Sequence, residues 1–105
     1  MFDKLIQKLC VWADVNLSYS DEREALDQTH YPPGVGASYS TGHIDALLDV
    51  LHLMGHSAVA GGGENQAGEI IYDTITVDGI NLVANGTVDS EARRKLIATN
   101  KEKED

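Results

Sequence analysis

Asp78-Gly79 lies between two runs whose apolar residues alternate, and it constrains the fold of this chain more than any other pair. Asp-Gly suits the centre of a two-residue type I′ turn, where both residues take positive φ and the twist matches antiparallel strands. Such a turn pairs Val77 with Ile80, Ile75 with Leu82 and Asp73 with Ala84, which predicts a hairpin over residues 69–85. Ile71, Ile75, Val77, Ile80, Leu82 and Ala84 then share one face, and Tyr72, Thr74, Thr76, Asn81 and Val83 the other. Asp73 falls on the apolar face, so it must be near an edge or paired. A lone hairpin is only marginally stable. Residues 57–60 supply a candidate third strand, followed by a glycine-rich turn or loop from Gly61 to Gly68.

Helices must cover that sheet. Phe2, Leu5, Ile6, Leu9, Ala13 and Asn16 recur at spacings of three and four, predicting an amphipathic helix over 2–16 with Trp12 on its flank. Ser40 or Thr41 is placed to cap a second helix over 42–54, with Ile44, Leu47, Leu48, Leu51 and Met54 as its apolar face and Gly55 as its C′ residue. Ser20 with Asp21, Glu22 and Glu24 marks the start of a short acidic helix to about Gln28. A Pro/Gly loop over Tyr31 to Tyr39 follows. Asp89 or Thr87 is placed to cap a C-terminal helix that uses Ala92, Leu96 and Ile97. The expected fold is therefore α+β: two main helices and a short acidic one packed on a small antiparallel sheet, with a C-terminal helix. It forms one domain over 1–98, with a frayed charged tail at 99–105.

Charge limits what such a domain can bind. From Asp14 to Asp78 eleven carboxylates face a single cation, Arg23, and the whole chain carries a net −9. That surface repels nucleic acid and acidic membranes and attracts basic partners. Arg93-Arg94-Lys95 is the one basic cluster, flanked by Asp89 and Glu91 and free of aromatic residues, so direct nucleic-acid binding is not expected. It could instead touch the acidic body of a second copy, and an open sheet edge offers another route to a homodimer. Asp3, Gln7 and Lys8 break the apolar character of the first residues, which argues against an export signal. No run approaches the ~20 apolar residues of a membrane span. A cytoplasmic protein, cellular or phage-encoded, is the expectation. Cys10 is the sole cysteine and reads as a buried thiol.

Two sets of residues invite a function. On the second helix Asp45, Asp49, His52 and His56 fall within about a 60° arc. His52 and His56 with Asp49 are the candidate metal ligands, although no HExxH pattern or cysteine ligand supports them. The Pro/Gly loop is bracketed by His30 and His43 and lies near Ser38, Ser40 and Thr41, but nothing resembles a nucleophile elbow. The glycine runs lack a Walker lysine and a strand-loop-helix order. The expectation is thus a non-enzymatic binding or regulatory protein that needs no cofactor. It would present Tyr31, Tyr39, Asp45, Asp49, Glu22, Glu24 and Asp27 to a basic protein surface, such as the groove of a nucleic-acid-binding enzyme, in the manner of an inhibitor or DNA mimic. The competing expectation is a small-ligand or metal protein, an enzyme included, built on Asp49, His52 and the Pro/Gly loop.

Overall fold

The computed structural model describes residues 1–21 and 37–104. In chain order these form α1 (Phe2–Leu17), α2 (Ala37–Leu53), β1 (Ala58–Glu64), β2 (Ile70–Val77), β3 (Ile80–Ala84), β4 (Thr87–Val88) and α3 (Ser90–Glu104). The strands make one antiparallel meander, β1-β2-β3-β4, with the three helices packed on it, so the fold is α+β. Phe2, Ile6, Leu9 and Ala13 of α1 and Ile44, Leu48 and Leu51 of α2 meet Ile71, Ile75, Val77, Leu82 and Val83 of the sheet. Leu96 of α3 closes the same core.

The Asp78-Gly79 turn is present, with φ of 50° and 80°, and it pairs Val77 with Ile80. Beyond the turn the register departs from simple alternation. Ile75 pairs with Val83, not Leu82, because Leu82 is the extra residue of a β-bulge. The bulge lets two consecutive side chains, Leu82 and Val83, enter the core, so Val83 is buried and not on the outer face. Asp73 does not pair with Ala84 either. It is the extra residue of a second bulge, between the Gly61–Thr74 and Gly62–Tyr72 pairs, and is exposed there.

That second bulge explains Gly62. Gly61, Gly62 and Gly63 belong to β1 instead of a flexible turn, so the third strand spans 58–64. A Cβ on Gly62 would lie 2.0 Å from the Ile71 carbonyl oxygen, whereas one on Gly63 would meet open space. Asn85-Gly86, with φ of 52° and 73°, repeats the positive-φ pattern of Asp78-Gly79 and turns β3 into β4, a strand the sequence did not announce.

The helices are longer than expected. The second begins at Ala37, not Gly42, so Ser40 and Thr41 lie inside it and are not its N-cap. Both hydroxyls donate back to the Ala37 carbonyl, at 2.7 and 2.8 Å. Asp89 caps α3, its Oδ1 accepting from the Glu91 and Ala92 amides. This helix continues past Thr99, the start of the expected tail, to Glu104, and Lys101 comes within 3.7 Å of Asp3. The expected acidic helix to Gln28 and the Pro/Gly loop up to Gly36 lie outside the described residues.

At the junction of α1, α2 and β2 sits Asn16, fully buried. Its Nδ2 donates toward the Ile70 carbonyl (3.1 Å), Ser40 Oγ (3.1 Å) and Thr41 Oγ1 (3.2 Å). Its Oδ1 accepts from the Tyr72 amide at 2.7 Å. An Asn16→Leu variant strands the Ile70 and Tyr72 backbone groups and should lose about 2–4 kcal/mol of stability, a large share of a small domain's total. Urea unfolding measures this; a loss below about 1 kcal/mol would show that water replaces the carboxamide. In the same assay Gly62→Ala should be far more damaging than Gly63→Ala.

Candidate functional site

α2 ends at a Schellman turn. Gly55, at φ 90°, gives its amide to the His52 carbonyl (3.0 Å), and the His56 amide reaches Leu51 (2.9 Å). The chain therefore swings His56 out of the helical stripe that Asp45, Asp49 and His52 occupy. His56 packs against Phe2, ring centroids 4.5 Å apart, and its Nδ1 donates to Asp78 Oδ2 at 2.7 Å. Asp78 Oδ1 accepts from the Ser57 amide, so this pair ties the end of α2 to the β2–β3 turn.

His52 goes elsewhere. Its Nε2 lies 2.7 Å from the Ala58 carbonyl oxygen, and since a carbonyl only accepts, the Nε2–H tautomer donates there. The three candidate ligands His52, His56 and Asp49 are thus not brought together. Among the described residues no group of three His, Cys, Asp or Glu side chains is placed to hold a metal ion. Ser40, one of the hydroxyl residues near the Pro/Gly loop, is fully buried and donates to the Ala37 carbonyl.

The acidic stripe is anchored at its other end by Tyr72, whose hydroxyl donates to Asp45 Oδ1 at 2.6 Å. Burial, then this hydrogen bond and the charge of Asp45, push the Tyr72 phenol up to about 12. His52 on Ala58 and Asp45 on Tyr72 together fix α2 over the outer part of the sheet. Asp49, between them on the helix, is exposed.

Beside the stripe lies a second line of residues on α2. Tyr39, His43, Ala46, Val50 and Leu53 follow one another at spacings of four, three, four and three, the periodicity of a helix face that meets another helix. Here that face is open. Tyr39 is 58% exposed, Val50 39% and Leu53 88%. Its N-terminal half is stiffened by aromatic packing: the His43 ring stacks on Trp12 of α1 at 3.8 Å and 6°, and Tyr39 meets both edge-on. Trp12 is therefore half-buried, part support and part surface.

Of the expected partner-binding residues, the structure places Tyr39, Asp45 and Asp49 together on α2. Tyr31, Glu22, Glu24 and Asp27, like His30, lie outside the described residues. A cleft of about 630 Å³ lies at the far end of the sheet, lined by residues including Asp21, Glu64, Asp73 and Gly86. Cys10 is buried and its thiol is raised by that burial, as a structural cysteine should be. The chain matches no family model, no curated protein and no solved structure.

The Trp12–His43–Tyr39 cluster and the open line on α2 escaped the sequence reading. The four-three spacing was present, but placing Tyr39 in a loop cut it short. Tyr72 supplies a direct check on the site. Its proton is held more tightly in the folded chain than in the unfolded one, where a phenol titrates near ~10. Its contribution to stability is then complete below pH ~10 and is lost as pH rises to about 12. Absorbance titration should show a late tyrosine that is absent in Tyr72→Phe and shifted down in Asp45→Asn.

Proposed function

We propose that this chain is a small binding protein that receives a basic protein partner on the outward face of α2. The observation that carries this reading is the pairing of an exposed apolar and aromatic line with carboxylates along one flank. Tyr39, Val50 and Leu53 are solvent-exposed large side chains on one helix, and Asp45 and Asp49 border them. An isolated exposed leucine needs no explanation, but a periodic set on a rigid helix is what an interface presents.

The division of labour follows from physical chemistry. A net charge of −9 accelerates encounter with a cationic surface and rejects anionic ones, including nucleic acid. Affinity comes from desolvating a few anchors, and Tyr39 is the strongest candidate because Trp12 and His43 hold its ring in place before binding. A partner whose own task is to bind nucleic acid has the required cationic groove, so an inhibitor or regulator that competes for such a groove fits the charge. The reading requires no cofactor and no chemical step.

Capture from a lysate of the source cells at low and high ionic strength, followed by binding measurements on the purified partner, tests the proposal. Affinity should fall steeply with salt. Tyr39→Ser should weaken binding about tenfold or more, mainly through faster dissociation, and Asp49→Asn should slow association. Salt-independent binding, or wild-type affinity in Tyr39→Ser, would overturn it.

A further inference from the structure

β1 is an edge strand, and its pattern of hydrogen bonding tells which backbone groups it leaves open. The Asp78 amide donates to the Ser57 carbonyl, and Ala58 pairs with Val77, Val59 with Thr76 and Ala60 with Ile75. In an antiparallel ladder closely bonded pairs alternate with non-bonded ones, so Ser57 and Val59 aim their N–H and C=O at β2 while Ala58 and Ala60 aim theirs away. His52 confirms the direction independently, since it takes the Ala58 carbonyl from the side of α2. Ala60 follows two residues later, and among the described residues nothing bonds its outward N–H and C=O.

Edge strands are normally guarded by a lysine, a proline, an inward charge or a cover. This one has none of the first two: its sequence is Ala-Val-Ala-Gly-Gly-Gly-Glu. The three glycines give an incoming backbone nothing to clear, and Val59 is 63% exposed on the outer face of the sheet. What flanks the edge is negative charge. His52 on the Ala58 carbonyl turns its helical stripe toward the β1 side of α2, with Asp49 and Asp45 one and two turns back along it and Asp45 also accepting from the Tyr72 hydroxyl. Glu64 closes the strand and is exposed.

We propose that the β1 edge docks an extended, basic segment of a partner protein by strand addition, with the Ala60 N–H and C=O as the central backbone contacts. Alternate lysine or arginine side chains of that segment, pointing to the helix side of the sheet, meet Asp49 and Asp45, and one further along meets Glu64. This rests on the reading of the chain as a receiver of basic partners and names how one part of such a partner is held. The same charges argue against a second copy as the occupant. Pairing β1 with β1 of another molecule sets the two acidic α2 stripes side by side, a like-charge arrangement that opposes association.

An alternating Lys-Val peptide long enough to span β1, titrated into the isotope-labelled full chain at low salt, is the probe. Expected are amide shift changes centred on Val59 to Gly63, peptide-to-Ala60 contacts across a strand pair, and about tenfold or greater slowing of Ala60 amide exchange. A Glu-Val peptide should not bind. The same Lys-Val peptide, N-methylated at every second residue to remove the donors facing β1, should bind about tenfold or more weakly. Equal binding by the methylated peptide overturns strand addition while leaving the basic-partner reading intact. So does a result in which only a helical basic peptide binds and its shifts map to Tyr39 to Leu53. Binding by neither cationic peptide removes both. Concentration-dependent protection of Ala60 in the chain alone, with a dimer in sedimentation, overturns the proposal in favour of a second copy.

Discussion

The carboxamide of Asn16 is where this fold is joined. The N-terminal half of β2 extends beyond the reach of β3, so its free edge turns toward the interior. A strand neighbour would take the Ile70 carbonyl and give an acceptor to the Tyr72 amide; the Asn16 side chain does both. Ser40 and Thr41 complete the junction, with Thr41 sharing the Ile70 oxygen at 3.0 Å. Three elements that share an apolar core by non-directional burial are thereby fixed in one register by directional bonds. No buried side-chain nitrogen or oxygen among the described residues lacks a partner.

From that junction the outer surface follows. With the start of α2 tied to the end of α1, the two helices run antiparallel, which sets His43 on Trp12 and brings the far end of α2 to Phe2. The rotation of α2 about its axis is then pinned by His52 on Ala58 and Tyr72 on Asp45. Its polar stripe runs from Asp45 on Tyr72 to His52 on Ala58, and Tyr39, Val50 and Leu53 of its apolar line are exposed. The two proposed surfaces, one for anchoring by packing and one for holding a strand, would both be bordered by Asp45 and Asp49.

Local patterns in the sequence carried much of the architecture because each rests on a short-range rule. Asp78-Gly79 forces a tight turn, Gly55 ends its helix in the left-handed region, and the three-four spacing of Phe2, Ile6, Leu9 and Ala13 buries one face of α1. The bulges were not legible. Leu82 and Asp73 become extra residues because strands on both sides of β2 demand it, and no property of either residue says so. The start of α2 was misplaced for a related reason. Ser40 and Thr41 favour caps when exposed, but here both hydroxyl oxygens accept from the buried Asn16 carboxamide inside the helix, and Thr41 also reaches the Ile70 carbonyl.

The sequence by itself determined the class of this protein: an acidic α+β domain with an antiparallel hairpin, amphipathic helices and a net charge of −9. Those are consequences of periodicity, turn chemistry and composition, which act over a few residues or sum over all of them. Only the tertiary structure decided which side chains act together. It tied His56 to Asp78, joined Asp45 to Tyr72, and left the Ala60 N–H and C=O facing away from β2. Each outcome depends on hydrogen bonds between residues distant along the chain, and those exist only once packing has set the elements against one another.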